Sequence, residues 1–159
     1  MMQYMELPFR VKERGQIILF IGIQASGKST FYRSLLAPAG LKHVNLDTLR
    51  TRNREATSIH DCLDRGASFV VDNTNPQVAD RQRYIPLAKA QGYEVIGIFF
   101  QSRVKDCIRR NEQREHPVPR HAIPCTSNKL EMPSLDEGFD KLYFARIVDD
   151  GFEITEWKE

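Results

Sequence analysis

The stretch Gly22-Ile23-Gln24-Ala25-Ser26-Gly27-Lys28-Ser29-Thr30 constrains this chain more tightly than any other. It reads G-x-x-x-x-G-K-S, the Walker A phosphate loop, and its flanks supply the context that loop requires. Ile17-Ile18-Leu19-Phe20-Ile21 precedes it as an unbroken apolar run, the mark of a parallel strand buried on both faces. Phe31, Tyr32, Leu35 and Leu36 follow at helical spacing until Pro38. Strand, glycine-rich loop and helix together predict a nucleoside triphosphate site. Gly22 and Gly27 let the backbone curl so that N–H groups face the phosphates. The positive end of the following helix adds to that field. Lys28 is expected at the β- and γ-phosphates and the Ser29 hydroxyl on Mg²⁺, while Gln24, Ala25, Ser26 and Thr30 complete the nucleotide-binding set.

The remaining chain alternates strands and helices, which predicts an α/β fold: a five-stranded parallel sheet with helices on both faces, a helical lid and a C-terminal β-hairpin. Residues 1–15 read as a leader packed on the sheet through Leu7, Phe9 and Val11, and 1–159 as a single domain. A second strand is expected over Leu41–Leu46 and a helical region from Thr48 to Arg65, capped by Gly66. Ser68–Asp72 reads as the third strand. Val78–Gln91 reads as a helix that Pro86 should kink or break. Glu94–Phe100 reads as the fourth strand. Ser102 is the expected N-cap of a helix opening the lid region, about 103–130. Leu142–Val148 and Phe152–Trp157 flank the turn Asp149-Asp150-Gly151 as a hairpin.

Composition excludes more than it selects. A net charge of +2 is too small to indicate nucleic acid by bulk electrostatics. No apolar run reaches membrane-spanning length, so no membrane partner is expected. Cys62, Cys107 and Cys125 are odd in number and widely spaced, which points to reduced thiols and a cytoplasmic setting. His43, His60, His116 and His121 lack metal-ligand spacing and read as surface or packing residues.

Ligands of an open parallel sheet bind beyond its carboxyl strand ends, which is where three polar groups fall. Asp47 follows the second strand and suits a general base that takes the proton of an attacking hydroxyl, or equally the N-cap of the next helix. Asp72 ends the third strand as a Walker B-like acid facing metal or acceptor, or as one member of a turn-forming Asp-Asn-Thr-Asn-Pro run. Arg110 and Arg114, four apart, suit guanidinium groups presented by a mobile lid, or a solvated basic face.

With these residues in view, the chain resembles the kinase domain of the polynucleotide 5′-hydroxyl kinases, the phage and animal end-healing enzymes, from Gly15 to about Phe144. The resemblance rests on the Walker loop, Asn45-x-Asp47, Asp72-Asn73-Thr74-Asn75-Pro76, and Arg110-Asn111-x-x-Arg114 followed by Val118-Pro119. It implies ATP as donor and Asp47 as the base activating a 5′-hydroxyl. It also implies Arg114 and Arg110 as lid arginines, Arg50 as a grip on the acceptor phosphate, and Asp72 as an acid in the same pocket. The family's usual arginine between Asn and Asp is Leu46 here, and no D-x-D phosphatase motif occurs. A P-loop kinase of a small molecule (nucleoside, sugar or antibiotic) and a non-catalytic ATP-binding switch are the competing expectations. Oligomeric state has no sequence signal.

Overall fold

The computed structural model describes residues 7–149 and 151–158. One sheet contains β1 (Gln16–Ile21), β2 (Lys42–Val44), β3 (Phe69–Val71), β4 (Glu94–Phe100), β5 (Lys141–Val148) and β6 (Gly151–Glu156). Their spatial order is β2-β3-β1-β4-β5-β6, with every neighbouring pair parallel except antiparallel β5–β6. The expected five parallel strands are present, and the hairpin's second arm makes the sheet six-stranded because β6 extends it beyond β5.

Both faces of the central strand are covered, which explains its continuous apolar sequence. Ile17, Leu19 and Ile21 join one core with Ile59, Cys62, Leu63, Ile85 and Phe99. Ile18 and Phe20 point into the other, with Phe9, Phe31, Leu36, Phe100 and Phe152. Each such side chain contributes about 1.5–3 kcal/mol by leaving water. Phe20, Phe31, Phe100 and Phe152 meet edge to face, with centroids 5.0 to 6.3 Å apart. Leu7 and Val11 pack against this second core beside Phe9, as their pattern predicts.

The helices depart from expectation at their ends. After α1 (Lys28–Phe31) the chain passes through a π-helical turn, Tyr32–Leu36, and a 3₁₀ turn, Ala37–Ala39. The second strand is only Lys42–Val44, because Asn45 caps a one-turn helix, α2 (Leu46–Leu49), accepting from the Thr48 N–H. Arg50 then adopts φ 74°, so the region expected as one helix breaks there, and Thr51 caps α3 (Arg52–Arg65). Gly66 closes α3 at φ 67°. Of the expected kink or break at Pro86 the structure has the break: α4 (Val78–Arg81) ends first, and Pro86 sits in the opening turn of α5 (Ile85–Ala90), where its missing N–H has no intrahelical role. Ser102 is not the cap of α6 (Val104–Glu112); Arg103 holds that position, and the Ser102 hydroxyl bonds the Phe100 carbonyl and accepts from the Ile23 N–H. Arg114 lies past the end of α6, so it does not share a helix with Arg110. Helix α7 (Ala122–Lys129) follows. Ile23, Cys107 and Ile123 form a small third core that seats α6 and α7 against the phosphate loop. Among the described residues no helix is long and apolar enough to cross a membrane.

At Gly97 of β4 the sheet is closely covered. A Cβ there would stand 2.6 Å from Phe139 and 2.7 Å from Leu142, both side chains of the core. Gly97→Ala should therefore cost about 1–3 kcal/mol by overpacking. Thermal denaturation checks this: the midpoint should fall by roughly 2–10 °C for a chain of this size, and an unchanged midpoint would contradict it.

Candidate active site

Because β1 lies between β3 and β4, with β2 beyond β3, the loops after β1, β2 and β3 emerge side by side. The segment after β3 fastens them together. Thr74 accepts the Gly22 N–H at 3.0 Å, and the Asn75 amide donates to the Phe20 carbonyl at 2.8 Å. Asn73 accepts the Leu46 N–H at 3.0 Å and donates to the buried Glu55 carboxylate at 2.8 Å. The Asn45 amide donates to the Asp72 carbonyl at 2.6 Å. The amides of Asp-Asn-Thr-Asn and its neighbour Asn45 are thus consumed in pinning the ends of β1 and β2, with Tyr84 donating to Glu55 from behind at 2.9 Å.

These loops enclose a cavity of about 780 Å³. Gln24, Ala25, Gly27, Lys28, Ser29 and Thr30 line one wall, Asp47 and Asp72 another, and Arg110 and Arg114 the rim. Three expected residues stay off this lining. Gly22 lies beneath it, where a Cβ would meet Ser26 Oγ at 2.9 Å and Phe100 Cβ at 3.0 Å. Ser26 is buried. Arg50 is exposed at the turn between α2 and α3, outside the cavity.

Lys28 is folded into its own loop. Its ammonium donates to the Gly22 carbonyl at 2.9 Å and the Ile23 carbonyl at 2.8 Å. Burial pushes its pKa down to about 8, and the negative charges of Asp72 and Asp47 act against that fall. Asp47 is therefore electrostatically within reach of the ammonium, and the helix cap is supplied by Asn45 rather than by Asp47. Asp72, buried, accepts from Ser29 Oγ at 2.8 Å through Oδ2. The same oxygen contacts His43 Nε2 at 2.7 Å, and the imidazole stacks on Tyr32 with centroids 4.1 Å apart. Ser29 and Asp72 form a pair of hard oxygen donors of the kind that Mg²⁺ takes alongside phosphate. Among the described residues no cluster of three or more His, Cys, Asp or Glu could hold a metal by itself.

Arg110 donates to the Ala25 carbonyl at 2.7 Å, tying α6 to the phosphate loop, where Ala25 has φ 63°. Gln24 donates to Thr126 of α7 at 2.9 Å. Asn111 closes the following loop by exchanging two hydrogen bonds with Val118, which holds Arg114, Glu115 and His116 at the cavity rim. Arg33, His43 and His116 line the cavity without having been singled out from sequence. Arg33 alone had an available signal: it lies four residues after Ser29, one helical turn along the same face.

Comparison with known proteins agrees with this geometry. Residues 17–132 match a family described as an AAA domain. The chain is 29% identical over 136 residues to a bifunctional polynucleotide phosphatase/kinase of Schizosaccharomyces pombe, covering 82% of this chain and 33% of that protein. It is 27% identical over 157 residues to a putative bifunctional polynucleotide phosphatase/kinase of Acanthamoeba polyphaga mimivirus, covering 90% of this chain and 36% of that protein. The chain thus spans about a third of the length of these relatives. The structure of Chaetomium thermophilum Kti12 in complex with ADP-AlF3 shares the fold at a TM-score of 0.66 and 16% identity, over 84% of this chain and 90% of that one. With a sheet, phosphate loop and strand-end carboxylates of this arrangement, and a match over residues 17–132, the chain belongs to the AAA domain family and has a P-loop kinase fold.

Proposed function

We propose that this protein transfers the γ-phosphate of ATP to the 5′-hydroxyl end of a polynucleotide, with Asp47 as general base. The observation that carries the reading is the sharing of one cavity by Asp47 and Lys28. The likeness to polynucleotide phosphatase/kinases supports the acceptor class. In this reading Lys28 leaves the Gly22 and Ile23 carbonyls for the β- and γ-phosphates. Asp47 takes the proton of the acceptor hydroxyl, whose oxygen bonds to the γ-phosphorus as the β–γ bridging bond breaks and ADP departs. Arg110 and Arg114, in a lid formed by residues 103–130, neutralise charge on the transferring group. Ser29 donates a hydrogen bond to Asp72, so its hydroxyl lone pairs and the Asp72 carboxylate would together hold Mg²⁺, which would supply charge neutralisation to the phosphates. Arg50, outside the cavity, meets the acceptor only where a strand extends beyond the reacting end.

Asp47→Asn should lower transfer to a 5′-hydroxyl oligonucleotide by about 10²–10⁴-fold while leaving ATP affinity within about twofold. Labelled ATP with a panel of 5′-hydroxyl oligonucleotides and nucleosides measures it. Normal phosphorylation by the variant would remove the base, and phosphorylation of nucleosides alone would replace the acceptor.

Lys28 generates a second expectation. Its depressed pKa means that it loses its proton as pH rises through about 8, and bound phosphate restores it. In metal-free buffer, ATP affinity should therefore decline above pH 8, and binding there should take up protons. Calorimetry in buffers of different ionisation enthalpy reads both, and pH-independent binding between 7 and 9 would contradict the assignment.

A further inference from the structure

A second cavity, about 500 Å³, opens on the outer edge of the sheet beside β2 and α3. Its lining includes Lys42, His43, Leu49, Asn53, Arg54 and Ser58. His43 belongs to both cavities, so the two adjoin at this residue. The geometry points to this edge groove as the track of the acceptor strand, entered by the nucleotides that follow the 5′ end seated at Asp47. The inference rests on the polynucleotide reading above and adds where the rest of that polynucleotide lies.

Charge, hydrogen-bonding capacity and position all favour that occupant. Lys42 and Arg54 are exposed, and neither is paired with a carboxylate among the described residues. Asp61, the acid of the groove, is already held by Arg65 at 2.8 Å. The groove therefore presents uncommitted positive charge, as a phosphate backbone requires. Arg33 also lines the first cavity, with Thr30 Oγ1 at 3.4 Å as its side-chain partner, and adds positive charge near the reacting end. Ser58, on the groove wall, buries its Oγ with no hydrogen-bond partner among the described residues. Leu49 gives the groove an apolar surface against which a base can lie.

The test is the double variant Lys42→Glu/Arg54→Glu, whose side chains touch neither the phosphate loop nor Asp47. Kinetics compare a 5′-hydroxyl strand of about ten nucleotides with a nucleoside 3′-monophosphate, and fluorescence anisotropy follows strand binding across a salt series. The expected result is a rise of about tenfold or more in KM for the strand and a salt slope shallower by about 1.4, two lost contacts on single-stranded acid. KM for the mononucleotide and for ATP should be unchanged. An unaltered strand KM and salt slope would overturn the track and leave the kinase reading standing. A parallel rise for the mononucleotide, or an equal effect from Lys105→Glu on α6, would also overturn it. If the unmodified protein phosphorylates small hydroxyl compounds and no polynucleotide, the acceptor reading falls and the track falls with it.

Discussion

The tie between the segment after β3 and the two neighbouring strand ends governs the geometry of the whole cavity. Thr74 and Asn75 hold the exit of β1, and Asn73 and the Asp72 carbonyl hold the exit of β2. The phosphate loop and the Asp47 turn are thereby set against each other by hydrogen bonds to one short stretch, not by packing alone. Asn73 is in turn satisfied by Glu55, a buried carboxylate that also receives Tyr84 and Arg52. Such a network is valuable only when complete, since a buried polar group without a partner costs about 1–3 kcal/mol. This explains why a run that reads as turn formers contains so many amides: each has a carbonyl, carboxylate or N–H to serve.

Much of this was legible in the sequence, for physical reasons that differ by element. A parallel strand covered on both faces has to be apolar throughout, so β1 and β4 declare themselves. The Walker loop needs glycine where its backbone bends and where a side chain would strike Phe100 or the C-terminal hairpin, and those positions are readable too. Asp72 was visible because it directly follows β3, and Asp47 because it lies just beyond β2, in the one-turn helix that Asn45 caps. The break at Arg50 was not, since nothing in the basic run 50–54 marks a left-handed residue. Ser102 misled because its hydroxyl, which donates to the Phe100 carbonyl two residues back, also satisfies the Ile23 N–H beyond the neighbouring strand, a tertiary demand that a local capping pattern does not contain. His43 looked like packing, and against Tyr32 it is; its contact with Asp72 exists only once β2 and β3 are paired.

Burial of Lys28 shows how stability and chemistry pull apart at this site. An ammonium removed from water is costly, and the loop offsets part of that cost with two backbone carbonyls and two nearby carboxylates. The carbonyls are partners of opportunity, since they belong to the phosphate loop itself.

The last two strands have a consequence beyond extending the sheet. A Cβ on Gly27 would meet Phe152 at 3.0 Å and Ile147 at 3.1 Å, so the β5–β6 hairpin presses directly on the turn that opens α1. The stretch matched by the family description stops at residue 132, before either strand begins. A chain ending there would leave β4 as a bare edge and uncover the ring of Phe31, exposing backbone and apolar surface together. The hairpin is the seal of this domain, and any exchange of C-terminal segments between relatives must keep a bulky pair at 147 and 152 to brace the phosphate loop.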